Sequence, residues 1–361
     1  MRLIFLGDFS IDRAYQAFGD FISALSDADC VLANLEGAII PEAELLSLPR
    51  RKTLALANSP FVLDALQYFN VDAVCLANNH MYDFRLPAQY TTDILAHAGI
   101  ASFGAGANLA EASQPFVFRH NDTTLKVFSF SWDVIGSLPA TQASEGVSPL
   151  TPEHTLNTIR QLRTTDISSF VIFIMHWNYE LELYPQPAHR QLAHDLLRQG
   201  VDAIIGLHTH VAQGAELVDG KPVVYGLGNW FFPPRQLGHI RLAYPPIASR
   251  ELALELDIEG RQVRDVLFHW HQFDVEQNEI HFEKTERWDG AIIRQLTPYA
   301  GMSHTEYVQW FKSHRTQRLA LPVYVDYRHC WQNWVKDQYV RLRQEFIKLL
   351  IRAHLKGGPQ G

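Results

Sequence analysis

Cysteine, charge and long apolar runs are all scarce in this chain, and each scarcity removes a class of protein. Cys30, Cys75 and Cys330 are the three cysteines in 361 residues. An odd, widely spaced set holds no paired-cysteine zinc or redox motif and no disulfide framework. Cys30 and Cys75 sit in apolar runs, where a thiol acts as a small buried residue, and the pattern favours a reducing compartment. Charged residues make up 19%, with 31 Lys and Arg against 39 Asp and Glu, for a formal charge of −8. That balance gives no global attraction to nucleic acid or to an anionic membrane. No uninterrupted apolar stretch approaches the length of a membrane span. The opening run Met1-Arg2-Leu3-Ile4-Phe5-Leu6-Gly7-Asp8 meets an acid too early for a signal peptide. The expectation is a cytoplasmic protein without a membrane span.

What the chain does contain is an ordinary globular share of hydrophobic residues, 47%, set in short apolar runs that alternate with helical patterns. Buried strands are expected at Leu3–Leu6, Cys30–Ala33, Val71–Ala77, Phe170–Met175, Val201–Ile205 and Val223–Tyr225. Phe116–Phe118 and Leu125–Phe130 read as an antiparallel pair. Helices are expected from about Ile11 into Leu25, from a cap at Asn58 or Ser59 to about Phe69, through Leu95, from Thr151-Pro152 to about Leu162, and over Gln186–Arg198. Pro41 to Thr53 reads as a loop. Leu252–Ile258 and Val263–Trp270 flank Glu259-Gly260 as a hairpin would. The alternation predicts an α/β fold, in which ligands gather beyond the carboxyl ends of strands. Composition changes at about Glu286, which divides the chain into a core of 1–285 and a helical C-terminal extension of 286–361. A disordered tail is expected from about 357. In the extension, Trp331, Trp334, Tyr339, Leu342, Phe346 and Leu350 recur at helical spacing, the pattern of a face packed on a core. A lid over the ligand site or a dimer contact is the alternative.

The strand ends carry the chemistry. Asp8 follows the first strand, Asn34-Leu35-Glu36 the second and Asn78-Asn79-His80 the third. His176-Trp177 follows the fourth and Gly206-Leu207-His208-Thr209-His210 the fifth. In an extended segment, side chains two apart point the same way, so His208 and His210 can form half of a divalent-metal site. Each residue also has a plain reading. Asp8 suits a helix cap, Asn78-Asn79 a turn, and His176 a satisfied, partly buried histidine. Five strand ends ending alike favour one common site. Carboxylates, a carboxamide and imidazoles without a thiolate suit Mn²⁺, Fe²⁺, Zn²⁺ or Co²⁺ better than Mg²⁺ or Ca²⁺.

In this order the motifs resemble those of the calcineurin-like metallophosphoesterase superfamily, and most of all its capsule-synthesis CapA branch, the poly-γ-glutamate capsule proteins. The matching stretches are Gly7-Asp8-Phe9-Ser10-Ile11-Asp12-Arg13, Asn34-Leu35-Glu36, Asn78-Asn79-His80-Met81-Tyr82-Asp83, His176-Trp177-Asn178-Tyr179-Glu180, the His208-Thr209-His210 block and Leu227-Gly228-Asn229. They span roughly Met1 to Phe232. The resemblance implies a four-layer α/β/β/α sandwich with two divalent metal ions. On the matching positions Asp8 and His210 would hold one metal, and Asn79, His176 and His208 the other, with Glu36 bridging. His80 would stand near substrate as an acid or as a stabiliser of negative charge. Asp83 would orient His80 or pack at the loop. Arg13 would neutralise an anionic substrate group or form a surface ion pair. Asn34 and Glu180 would contact substrate, and Asn229 would contact substrate or support a ligand. Ser10 stands where typical phosphoesterases have His, and Glu36 where they have Asp; both changes resemble the capsule branch.

The function implied is a metal-dependent hydrolase in which a two-metal centre activates water against a phosphoester or related bond. The alternatives are assembly or amide cleavage of a poly-γ-glutamate polymer, peptide epimerisation, and a non-catalytic binding module that keeps the fold. The expected partner is an anionic small molecule, peptide or polymer, not nucleic acid.

Overall fold

The computed structural model describes residues 1–20, 23–237, 240–316 and 321–352. The expected tail from about 357 lies outside the described residues. The chain first lays down four parallel strands: β1 (Arg2–Phe9), β2 (Cys30–Leu35), β3 (Ala73–Cys75) and β4 (Ala101–Phe103). Helices α1 (Val62–Tyr68) and α2 (Ala88–His97) make crossovers between them. A second sheet follows: β5 (Phe116–His120), β6 (Thr123–Ser131), β7 (Phe170–His176), β8 (Ala203–Leu207), β9 (Ala215–Val218) and β10 (Lys221–Val224), in the order β9-β10-β8-β7-β6-β5. Helices α3 (Pro152–Thr165) and α4 (Pro187–Gln199) link β6 to β7 and β7 to β8. Thr151 caps α3, its side chain accepting from the His154 amide at 3.1 Å, which supports the Thr-Pro start signal.

The chain then returns to the first sheet. β11 (Asn229–Phe231) runs parallel beside the end of β1, with Asp8 opposite Asn229. β12 (Arg250–Glu259), β13 (Gln262–Asp274) and β14 (Glu279–Glu286) form an antiparallel meander, in which β12 pairs with the start of β1 on the same edge as β11, opposite β2. The hairpin expected around Glu259-Gly260 is β12–β13, and β14 extends it by a strand that sequence reading missed. Its exposed alternating residues carry too few apolar positions for a strong period-two signal.

Period-two alternation sorts side chains into layers. Leu3 and Phe5 of β1 face a core shared with Ile172 and Ile174 of β7, between the sheets. Ile4 and Leu6 face the opposite way, against Val62, Leu66 and Leu95 of α1 and α2. Val171, Phe173 and Met175 pack under Ile159 of α3 and Leu192 and Leu196 of α4. Each such buried side chain contributes about 1.5–3 kcal/mol before entropy is charged against it. The result is α/β/β/α, with the central strands β1, β2, β7 and β8 buried on both faces.

Two expectations fail. Among the described residues no long helix forms after Ile11: the Ile11 amide donates to Asn58 Oδ1 at 2.8 Å, and Gly19, at φ +89°, bridges to Ile280. Among the described residues there, only Ala24–Asp27 is helical. Two longer helices follow β14, α5 (His304–His314) and α6 (Cys330–Arg352), and short helical segments stand at Glu42–Leu45, within the expected loop, at Leu109–Ala112 and at Ala291–Leu296. On α6 five of the six residues expected to pack are exposed, with Trp331 and Leu342 both at 72%, and Leu350 is half-buried. The buried positions are Val340 and Ile351. With α6 turned this way, Gln344 donates to the Val134 carbonyl and Tyr324 donates to Asp337, while Arg341 pairs with Asp133 at 2.6 Å near the surface. No helix among the described residues is long and apolar enough to cross a membrane.

Candidate metal centre

The first sheet brings oxygen donors to the cluster. Asp8 is the penultimate residue of β1 and is wholly buried. Its backbone runs so close to β11 that a Cβ on Gly7 would lie 2.2 Å from the Gly228 carbonyl oxygen, so only glycine fits before the acid. Asn34, at the end of β2, donates to Asp8 Oδ1 at 2.8 Å. Glu36 follows two residues later and is also wholly buried. Asn78 ties this corner together, donating to the Leu35 carbonyl at 2.8 Å and accepting from the Gly37 and His80 amides. Asn79 follows it at the cluster.

The second sheet brings nitrogen donors. His176 is the last residue of β7. His208 and His210 lie just past β8, but the segment is not extended as the sequence suggested: φ is +84° at His208 and +56° at His210. Non-glycine residues in that region carry conformational strain and cluster at functional sites. The rings still converge, with centroids 5.9 Å apart, and the His176 ring lies 4.8 Å from that of His208.

The two sets meet at Glu36. Its Oε1 is 3.8 Å from His176 Nε2 and 3.8 Å from His80 Nε2. Ligand atoms of Glu36, His208 and His210 lie within 4.8 Å of one another. Asn79 Oδ1 is 2.8 Å from His176 Nε2, and His210 Nδ1 is 3.5 Å from Asp8 Oδ2. Both Glu36 oxygens, Asp8 Oδ2, His176 Nδ1 and His208 Nδ1 are buried without a hydrogen-bond partner among the described residues. Burial pushes the Glu36 carboxyl well above the ordinary range, and the nearby Asp8 and Glu180 charges push it further. Burial also raises Asp8, against the pull of His210 and Asn34. His176 and His208 are driven well below the usual imidazole range by burial first and by neighbouring cationic groups second, which leaves them neutral and able to ligate. Two buried carboxylates beside neutral imidazoles are costly unless cations compensate them. The donor set and its unsatisfied atoms therefore fit divalent metal.

Beside the cluster, His80 Nδ1 lies 2.6 Å from Asp83 Oδ2. Lys52 Nζ sits 3.0 Å from Asp83 Oδ1 and also donates to the Asn79 carbonyl. Burial alone would raise the Asp83 carboxyl, but Lys52 and then His80 outweigh it and hold it below the ordinary range. A cavity of about 330 Å³ opens above, lined by Asn79, His80, His208, Glu180 and Lys52 on one side and by α6 on the other.

Asp8, Glu36, Asn79, His80, Asp83, His176, His208 and His210 are thus gathered, with Glu180 at the cavity wall. Arg13 is not. Its side chain is 55% exposed and engages Asp12 at 3.4 Å and the Tyr15 ring, because the irregular segment after Ile11 carries it outward. Asn34 is wholly buried behind Asp8 rather than facing the cavity. Asn229 is buried too, with Oδ1 2.9 Å from His210 Nδ1, so it steadies that ring. Sequence reading missed Lys52 and also Tyr244, whose hydroxyl lies 3.0 Å from His210 Nε2. It missed Arg235 as well, a buried cation that donates to the Ser10 carbonyl. All three sit in or beside loops without a local motif, so only the fold reveals them.

A two-sheet α/β sandwich with a donor cluster at its strand ends is the class these observations define. The chain belongs to the family described as bacterial capsule synthesis protein PGA_cap, whose model matches residues 2–234. It is 28% identical over 184 residues to the PGA biosynthesis protein CapA of Bacillus subtilis, covering 50% of this chain and 48% of that one. It is 25% identical over 213 residues to the capsule biosynthesis protein CapA of Bacillus anthracis, covering 58% and 51%. The chain spans about half the length of these curated relatives. Among solved structures, a putative 5'-nucleotidase from Staphylococcus aureus aligns with 79% of this chain and 54% of its own, at 15% identity and a TM-score of 0.42.

Proposed function

We propose that this protein is a metal-dependent hydrolase that activates water against an anionic substrate, most simply a phosphoester. The observation that carries this reading is the set of buried, unpartnered donor atoms on Asp8, Glu36, His176 and His208. Asp8 and His210 would hold one divalent ion and Asn79, His176 and His208 a second, with Glu36 between them. Mn, Fe, Zn or Co suits these donors better than Mg or Ca. Bound there, such ions supply Lewis acidity and bring the pKa of water towards neutrality.

The chain's own groups do the rest. Asp83 takes the Nδ1 side of His80, which leaves Nε2 facing the cluster to hold a proton at a leaving oxygen. Lys52 keeps Asp83 ionised and in place. Asn34 and Asn229 fix the Asp8 carboxylate and the His210 ring. We assign this machinery to 1–285 and treat 286–361 as a helical extension packed on it.

A second reading is amide chemistry on a γ-linked glutamate polymer, at the same centre. The family and the names of its relatives favour it. Protein purified without chelator is expected to hold divalent metal by mass spectrometry and to hydrolyse bis(4-nitrophenyl) phosphate with added Mn²⁺. Turnover confined to γ-glutamyl oligomers would favour the second reading. Absence of both metal and turnover, across the four metals named, would sink both.

A further inference from the structure

The helix α6 lies beyond the residues matched to the family, yet it walls the cavity above the donor cluster. That wall is mixed: Val340, Ile347 and Ile351 are apolar, while Arg343 and Lys348 are cationic. The cations around the cavity are not equivalent. Lys52 is committed to Asp83, and Lys348 pairs with Glu345 at 2.6 Å. Two residues before Arg343, Arg341 is paired outside the cavity with Asp133 at 2.6 Å. Arg343 is half-buried and forms no hydrogen bond or ion pair with any described residue, the cavity acid Glu180 included. A half-buried guanidinium on a cavity wall with no fixed carboxylate partner stays available to an incoming anion. Its planar fork matches carboxylate and phosphate oxygens in pairs.

We propose that Arg343 binds a second anionic group of the substrate, remote from the bond that reacts, so that this cavity takes an elongated ligand carrying carboxylate or phosphate at its far end. The apolar side chains beside Arg343 suit a methylene or similar spacer rather than a bare inorganic ion. The inference rests on the hydrolase reading only for which end of the ligand reacts. On this reading the extension is a positioning and selecting wall that the matched core does not contain.

Equilibrium titration of the full chain tests this without turnover. Two probes separate the sources of the anion: a γ-linked glutamate pentamer and hexane-1,6-diyl bisphosphate. Arg343→Gln is expected to weaken binding of at least one probe by about tenfold or more, as loss of a charged hydrogen-bond partner does. Arg343→Lys, which keeps the charge and loses the fork, falls between. Arg341→Gln, on the same helix with its charge outside the cavity, leaves affinity within about twofold, since an exposed ion pair contributes little. The probe that suffers names the anion. Should Arg343→Gln fail to fold, Lys348→Gln tests the same wall and is expected to weaken binding in the same direction by less. Unchanged affinity in the cavity variants overturns the proposal, as does equal loss in Arg341→Gln or failure of both probes to bind the unaltered protein. A failure of the hydrolase reading would show separately, as missing metal or missing turnover.

Discussion

Glu36 and Glu216 are both buried carboxylates in this protein, and they are kept in opposite conditions. Glu216 accepts two hydrogen bonds from Arg190, each 2.7 Å, and a third from Tyr225 at 2.7 Å, with His194 Nε2 at 3.3 Å. Burial alone would raise its pKa, but those partners, Arg190 first, bring it down to about 2. Arg190 also donates to the Met302 carbonyl at 3.0 Å and lies over the Tyr307 ring, so the network ties α5 and its approach to the core. Among the described residues Glu36 has no hydrogen-bond partner for either oxygen, and its pKa is driven the other way. One cluster is complete within the chain and holds structure together. The other is complete only with something added. A buried polar group left unpaired by the fold marks where chemistry from outside is expected.

Breaking the closed network costs the most. Glu216→Ala leaves Arg190 buried without its counter-charge, and stability is expected to fall by about 3–5 kcal/mol in denaturant titration, with metal content unchanged. A loss below about 1 kcal/mol would mean that the pair is not what anchors α5. Glu36→Gln reverses the pattern. Turnover of the metal-loaded protein is expected to drop about 1,000-fold or more, equivalent to about 4 kcal/mol of transition-state stabilisation, and bound metal to fall. The metal-free protein keeps its stability at neutral pH or gains some, because an uncompensated buried charge has gone. Comparing calorimetric midpoints with and without chelator separates the two effects.

Acid sharpens the contrast. Because the folded pKa of Glu216 lies below its ordinary value of 4.5, the ionised network stabilises the protein fully above that value. The contribution is lost as pH falls from about 4.5 towards 2, and amounts to about 3 kcal/mol. Glu36 has the opposite sign: its raised pKa makes ionisation a cost to the metal-free fold. Stability against pH in the presence of chelator should therefore show a smaller acid loss for Glu216→Gln than for wild type, the rest coming from other lowered carboxylates such as Asp166 and Asp326. Coincident curves would rule this out. The smallest effect is at the support of the open cluster. Asn229→Ala frees the His210 ring, and metal affinity or activity is expected to fall about 10–100-fold, with no change in the acid limb.

Much of this molecule could be read before it was seen folded. The apolar runs at β1, β2, β7 and β8, and the polar residues that end them, are local features. Buried parallel strands need unbroken apolar residues, and a ligand site at their carboxyl ends needs polar ones. His208 and His210 were paired by sequence for the wrong local reason, since a left-handed turn and not an extended segment brings them together. Arg13 carried a motif and landed on the surface, while Lys52, Tyr244 and Arg235 carried none and landed beside the cluster. The apolar stripe of α6 had the right period and largely faces solvent. By itself the sequence determined which residue types stand at each strand end, because that depends on neighbours in the chain. Tertiary structure alone decided that carboxylates from one sheet meet imidazoles from the other, which charges are left unpaired, and which face of α6 covers them. Those outcomes depend on contacts between segments a hundred residues and more apart, which no local pattern encodes.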